Sequence, residues 1–517
     1  MYERQRGLRV SRVPIIPHFE AGASRLERQR LENLADSMRA EQPELAIRES
    51  FRPLCIDRYE DGPTLHLDDL TAIPLLDRYY DVSFLQDRAR FRAVDGDWLA
   101  SCGPHVEAFE TYTQDRLALG TVTWLHPRPR AGTLAVAQAC WTDTVVRKVL
   151  VSALRTGRLR YLHPHMGNFA VWATAFLLSR HSGHPLKVIA PPPGLTRAVN
   201  NKKWFADVVH RLFGAESRPT TTYAWNLSTV ARVLRELAPV SRQMVIKRPD
   251  SAGGAGNLVL ESGRYRELSL GELRVEAKAF LADFSWRGEV PLLIGAWETD
   301  VLGTPSSQLW IPPRAEGPPV VEGIYLQMVE GPQGMFVGSQ PHDFPSPLER
   351  LIVNRSWLLA SLFQQFGYVG RCSFDMLLLG EDFDSCSLQF VECNGRWGGA
   401  SAPMTLMNRL FGDWARQPYA HREIVISGLE TLSFEEIMVA LGRELFDART
   451  GTGRFILYNP RALSTRPGLD YLALGATWRE AARRMRLEFP QRLLRLLESR
   501  GVRPVIRQPG NTPSCDR

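Results

Sequence analysis

The chain has 517 residues, 44% hydrophobic and 23% charged, with a formal net charge of +7. That length allows two to four domains, and so modest a positive charge is not the footprint of a nucleic-acid-binding protein. Seven scattered cysteines, with no CxxC pair and no tight Cys/His cluster, argue against a zinc site or a disulfide framework and for a reducing compartment.

In chain order, the first fifty residues are polar and Arg/Glu-rich, an arm ending in a helix over Ser24 to Arg39. Met1 to Arg6 lacks the apolar core of a signal peptide, and the most apolar helix, around Phe169 to Leu178, is too short to cross a bilayer. A soluble, cytoplasmic protein is therefore expected. From Thr64 to Pro193, strand candidates at Val82–Leu85, Gly120–Leu125, Arg160–His163 and Leu186–Ala190 alternate with helices at Thr142–Arg155 and Phe169–Ser179. Such alternation favours a parallel sheet. No G-x-G-x-x-G follows any of these strands, so a dinucleotide site there is not expected. His163 and His165 flank a proline after one strand, where a loop role is favoured over metal binding.

After Pro191-Pro192-Pro193-Gly194, a helix opens at Asn200-Asn201-Lys202-Lys203. Two lysines are out of place at the positive end of a helix dipole; a bound phosphate or a solvated helix face would each account for them. A second helix spans Leu227 to Leu237. Met244 to Leu260 reads as strand, glycine loop (Gly253, Gly254, Gly256), strand, with Lys247 on the first strand. No Gly-Lys-Ser/Thr follows, so it is not a Walker loop, but such a hairpin can lay backbone N–H groups on phosphates. Pro291 to Glu298 is a further core strand.

The most telling segment is Phe390-Val391-Glu392-Cys393-Asn394-Gly395-Arg396-Trp397-Gly398-Gly399. A carboxylate, an amide and a guanidinium occupy alternate positions, and alternation is the strand period, so all three leave one face of one strand. Carboxylate and amide oxygens suit a hard divalent cation, and a guanidinium suits carboxylate or phosphate. Upstream, Gly367 to Leu379 reads as a turn followed by a hydrophobic strand with one acid, Asp375, costly there unless paired or metal-bound. An antiparallel hairpin through the polar turn at Glu381 to Ser385 would set Asp375 against Glu392 and Asn394; the plain alternative is a surface strand with a salt bridge. Cys372 and Cys393 should point away from these groups. Trp397 adjoins the candidate metal strand, whereas Trp297 and Trp310 fit pocket or core. Beyond residue 420, helices at Ser433–Phe446, Thr477–Glu488 and Gln491–Ser499 accompany a strand at Gly453–Tyr458.

Taken together, these motifs resemble the ATP-grasp superfamily over Thr64 to Leu410, and are most similar to its branch with a pre-ATP-grasp domain, which includes peptide ligases of the pheganomycin type. The resemblance implies an α/β architecture: two α+β subdomains clamping ATP, preceded by a Rossmann-like domain. The expected divisions are an arm at 1–63, the pre-ATP-grasp domain at 64–195, the ATP-grasp domain at 196–420 with a lid near 240–295, and an extension at 421–517. It further implies that Lys202 and Lys247 contact ATP phosphates under the loop of Gly253, Gly254 and Gly256, and that the adenine hinge runs through Ala296, Trp297 and Glu298. Asp375, Glu392 and Asn394 would hold Mg²⁺, with Mn²⁺ as a substitute, and Arg396 would grip the acyl phosphate. The implied activity is ATP-dependent ligation of small-molecule carboxylate and amine substrates, releasing ADP and phosphate, with no nucleic-acid or membrane partner. A small-molecule kinase is the alternative, and a homodimer is expected by analogy alone. Two departures stand out: Asn201 where the family often has Asp before the helix lysine, and Gly295 where the hinge often begins with an acid. Glu298 or Asp300 could take the ribose in its place.

Overall fold

The computed structural model describes residues 9, 10, 13–76, 82–130, 135–254, 256–282, 284 and 286–507. Ser24 caps the helix Arg25–Glu41 through a capping box with Glu27, which fixes where the expected N-terminal helix begins. The first sheet is parallel and contains β1 (Thr64–Leu67), β2 (Trp98–Ala100), β3 (Thr123–Leu125), β4 (Tyr161–Pro164) and β5 (Lys187–Val188), in the order β3-β2-β1-β4-β5. β1 and β4 are buried throughout, as strands covered by helices on both faces must be.

One expectation fails here. Val82–Leu85 is not a strand but the start of a 3₁₀ helix, Val82–Phe91. Four apolar-looking residues are locally ambiguous between strand and helix. The helix wins because it delivers Asp87 to Arg461 (2.8 Å) and Arg90 to Glu110 (2.9 Å), partners far away in sequence.

A second, antiparallel sheet holds β6 (Thr222–Ala224), β7 (Gln243–Lys247), β8 (Asn257–Glu261) and β9 (Leu292–Ala296), in the order β8-β7-β9-β6. The helices Leu227–Leu237 and Leu270–Ala282 close its core with Val230, Leu234, Leu273 and Leu281. The third sheet has ten strands: β10 (Val301–Gly303), β11 (Pro305–Ile311), β12 (Val320–Glu330), β13 (Met335–Pro341), β14 (Gly370–Leu379), β15 (Ser387–Asn394), β16 (Tyr419–Ile426), β17 (Phe455–Tyr458), β18 (Gly468–Leu474) and β19 (Ile506–Arg507). β15 pairs with β14, and the main path runs β10-β14-β11-β12-β13-β16-β18-β17. The C-terminal strands thus extend the same sheet that carries Asp375, Glu392 and Asn394, and residue 421 lies inside β16.

The join is narrow: Gly338 faces Arg422 and Ser339 faces His421. A Cβ at Gly338 would stand 2.2 Å from the His421 carbonyl oxygen, a backbone atom that cannot swing aside. Gly338→Ala is expected to cost about 2 kcal/mol or more, as overpacking does, read as a lower chemical-unfolding midpoint. Among the described residues, no helix is long and apolar enough to cross a membrane.

Candidate active site

β14 and β15 form the expected hairpin, with Asp375 directly opposite Glu392 and Ser373 opposite Asn394. The other face of the hairpin is core: Cys372 and Cys393 lie 3.7 Å apart at their Sγ atoms among Phe374, Phe390 and Phe205. On the site face, Asp375 Oδ1 accepts from Ser306 Oγ (2.6 Å) and Oδ2 accepts from the Asn394 amide (2.8 Å). Asn394 Oδ1 accepts from Arg396 (2.6 Å), which also donates to Asn200 Oδ1. Glu392 Oε2 is 2.7 Å from the Lys202 ammonium.

Two acids directly across a strand pair repel. Burial, then the charge of Glu392, push the Asp375 carboxyl up to about 7. Burial also opposes ionisation of Glu392, but the charge and hydrogen bond of Lys202, with Arg396 and Lys247, hold it below the usual carboxylate range. A divalent cation would remove the conflict by favouring both carboxylates, so these residues fit a hard metal ion. Among the described residues, no group of three or more His, Cys, Asp or Glu is placed to hold a metal. Asn394 Oδ1, on the same face, would add a third protein oxygen if its amide turned over and released Arg396.

Lys202 is the first residue of the helix Lys202–Phe213, whose N-cap is Asn201, accepting from Trp204 N (3.1 Å). It is not on a solvated helix face: it is 7% exposed. Its ammonium donates to the Ser251 carbonyl (2.5 Å) as well as meeting Glu392, and its own N–H donates to Pro249 O (2.8 Å). Asn201 need not anchor the lysine, because Glu392 and the glycine loop do. Gly253 (φ +60°) and Gly254 (φ +81°) adopt left-handed conformations that favour glycine. A Cβ at Gly254 would meet Met335 Sδ at 2.9 Å, and Asn257 Nδ2 donates to Gln333 O (3.2 Å), so the loop rests on the turn between β12 and β13.

Lys247 stands over the Trp297 ring (5.4 Å), and burial, then Lys202, push its ammonium down to about 8. Phosphates favour the charged form. Affinity for ATP should therefore be insensitive to this group below pH 8 and fall by up to about tenfold per pH unit above it, with a proton taken up on binding. Calorimetry at pH 7, 8 and 9 reads both effects, and Lys247→Met should flatten the slope.

A cavity of about 660 Å³ collects these groups, within the range of small-molecule sites. Lys202, Lys247, Gly253, Gly254, Ala296, Trp297, Glu298, Asp375, Glu392, Asn394 and Arg396 all line it. Gly256 does not; a Cβ there would fall 1.8 Å from Ser251 Oγ, so its smallness serves the loop's own turn. Nor do Gly295 and Asp300 line it, and Trp310 is core, edge-on to His163 with the Arg371 guanidinium over its ring. Residues the sequence reading missed are Asn200, which holds Arg396 from 196 positions away, and Ser306, which faces Asp375 across β11 and β14. The polar run Ser306-Ser307-Gln308 leading into the apolar Leu309-Trp310-Ile311 of one strand was the available signal.

No protein-family model and no curated protein matches the sequence. Among solved structures, N5-carboxyaminoimidazole synthetase from Staphylococcus aureus is similar at a TM-score of 0.50 and 8% identity, over 84% of this chain and 100% of that one. An ADP complex of N5-carboxyaminoimidazole ribonucleotide synthetase follows at 0.49 and 12% identity (85% and 98% covered), and a biotin carboxylase from Campylobacter jejuni at 0.46 and 10% (81% and 89%). The fold is ATP-grasp, preceded by a parallel-sheet domain. In an ATP-grasp frame, β14 and β15 bring the acids to the large sheet, while β7 and the glycine loop bring Lys247 over them.

Proposed function

We propose that this chain is an ATP-dependent ligase that joins a carboxylate to an amine through an acyl phosphate. The observation that carries the reading is the facing pair Asp375 and Glu392, with Lys202, Lys247 and Arg396 around the same cavity. The Staphylococcus aureus protein of the same fold is itself named a synthetase. Asp375, Glu392 and the turned amide of Asn394 would hold Mg²⁺ or Mn²⁺, which when bound neutralises phosphate charge. Lys202 and Lys247 hold the phosphates, the Gly253–Gly254 backbone covers them, and Ala296, Trp297 and Glu298 border the nucleoside.

The substrate carboxylate attacks the γ-phosphorus and the bond to the β-phosphate oxygen breaks, releasing ADP. Arg396, freed from Asn394, steadies the acyl phosphate. The amine then attacks the acyl carbon, the C–O bond to phosphate breaks, and the amine's surplus proton passes to solvent. Such chemistry asks for positioning and charge neutralisation more than for a protein nucleophile.

The test is ADP and phosphate release by the purified protein with Mg·ATP across pools of amino acids, carboxylic acids and amines. Substrate-dependent release with a new amide mass is expected. A phosphorylated product without an amide would assign the kinase reaction instead, and absence of nucleotide binding would overturn both.

A further inference from the structure

The cavity has a second half, away from the acid pair. In the parallel sheet, the strand order reverses between β1 and β4, and ligands gather beyond the C-terminal ends of strands at such a point. The residues that follow these two strands, Leu70 and His165, both line the cavity. The helix Val82–Phe91 adds Leu85 and Arg88, Asn459 comes from just after β17, and Asp470 from β18. Three distant stretches of chain thus enclose one space.

Arg88 is the unusual member. Its Nε donates to the Leu85 carbonyl (3.4 Å), and its two terminal nitrogens have no partner among the described residues. Arg396, in the same cavity, is held by Asn200 and Asn394. Both arginines act on His165, but Arg396 also acts on Asp375 and Glu392, whereas Arg88 also acts on His421 and Asp470. Burial, then Arg88 and Arg396, keep the His165 imidazole well below its ordinary value and so neutral, while Arg466, also on the cavity wall, is paired with Glu423. A half-buried guanidinium with its planar fork open is suited to a carboxylate. Beside it, Leu70, Ile73, Leu76 and Met166 form an apolar cluster against which Leu85 and Ala252 of the glycine loop pack. Cation and apolar wall therefore adjoin the loop that meets Lys202.

We propose that this half of the cavity binds a substrate carrying both a carboxylate and an apolar group, the carboxylate on Arg88 and the apolar group against Leu70, Ile73 and Leu85. The inference rests on the ligase reading of the adjoining site. Because Arg396 serves the carboxylate that is activated, the one on Arg88 does not react and acts as a handle for specificity. An amino acid meets this requirement, with its amine left to react; a branched acid without the amine probes recognition of the carboxylate and apolar group alone.

The experiment is calorimetry on the full-length protein saturated with Mg²⁺ and a non-hydrolysable ATP analogue, titrated with L-leucine, 4-methylpentanoate, glycine and 3-methylbutylamine. Leucine or 4-methylpentanoate should bind at least tenfold more tightly than glycine and 3-methylbutylamine. Binding of leucine alone shows that the amine is recognised as well; binding of both shows that carboxylate and apolar group suffice for recognition. Arg88→Met should lose tenfold or more for the carboxylates, with nucleotide binding as the control that the variant is folded, and Ile73→Ser should narrow the gap between leucine and glycine. Carboxylates binding no better than the amine, no binding by any probe, or an Arg88→Met variant that binds as the parent does would overturn the proposal. If carboxylates bind in an Arg88-dependent way without any nucleotide binding, this site stands and the ligase reading falls.

Discussion

Glu392→Gln is expected to lower ATP turnover by about a thousandfold or more, on the scale seen when a charge-stabilising group leaves a water-poor site. Glutamine keeps the shape of the side chain but takes a negative charge from between Lys202, Lys247 and Arg396. The Lys202 ammonium, 2.7 Å away and only 7% exposed, would keep its bond to the Ser251 carbonyl but lose its counter-charge. One of two facing carboxylates would also be missing from the set that fits a metal ion. Asp375 should become easier to ionise in this variant, because one of the two groups of forces raising it is the charge of Glu392. Steady-state ADP release gives the first result, and carboxyl titration by isotope-edited infrared spectroscopy the second. Turnover within tenfold of the parent would remove Glu392 from the catalytic machinery.

Arg371→Met should destabilise the fold by about 3–5 kcal/mol, the usual penalty for stranding one member of a buried ion pair. Arg371, on β14, pairs with Glu322, on β12, and both side chains are almost wholly shielded, at 1% and 0% exposure. Glu322 also accepts from the Ile16 N–H (3.2 Å), and Arg371 spreads over Trp310 and Trp397, at 5.4 and 5.1 Å. Removing the arginine leaves a buried carboxylate with one backbone donor. Adding Glu322→Leu should recover most of the loss, since a well-packed apolar pair can replace a buried ion pair. Chemical unfolding of the two single variants and the double variant decides it. A single variant within 1 kcal/mol of the parent would refute the argument.

The site was legible where its logic is local. Glu392, Asn394 and Arg396 share a face because side chains alternate along any strand, and the polar turn before β15 made a hairpin with Asp375 the simplest closure. The glycine loop was legible for the same reason, since strand, glycines and strand in succession can do little else. The surroundings of Lys202 were not: a solvated helix face was consistent with its position, and only its burial and its pairing with Glu392, far along the chain, exclude that face. Arg88 was likewise invisible, because the segment around it reads as a strand until its charged neighbours find Arg461 and Glu110.

The hairpin of acids, the glycine loop, the lysine strand and the α/β character follow from local patterns of residues, because backbone periodicity and turn chemistry act over short stretches. Long-range packing sets the rest: the C-terminal strands continue the large sheet, Asn200 restrains Arg396, and residues from the first and last parts of the chain wall the second half of the cavity. Those outcomes depend on burial and on strand pairing between distant segments, and no local pattern records which distant partner a buried charge or an open strand edge will find.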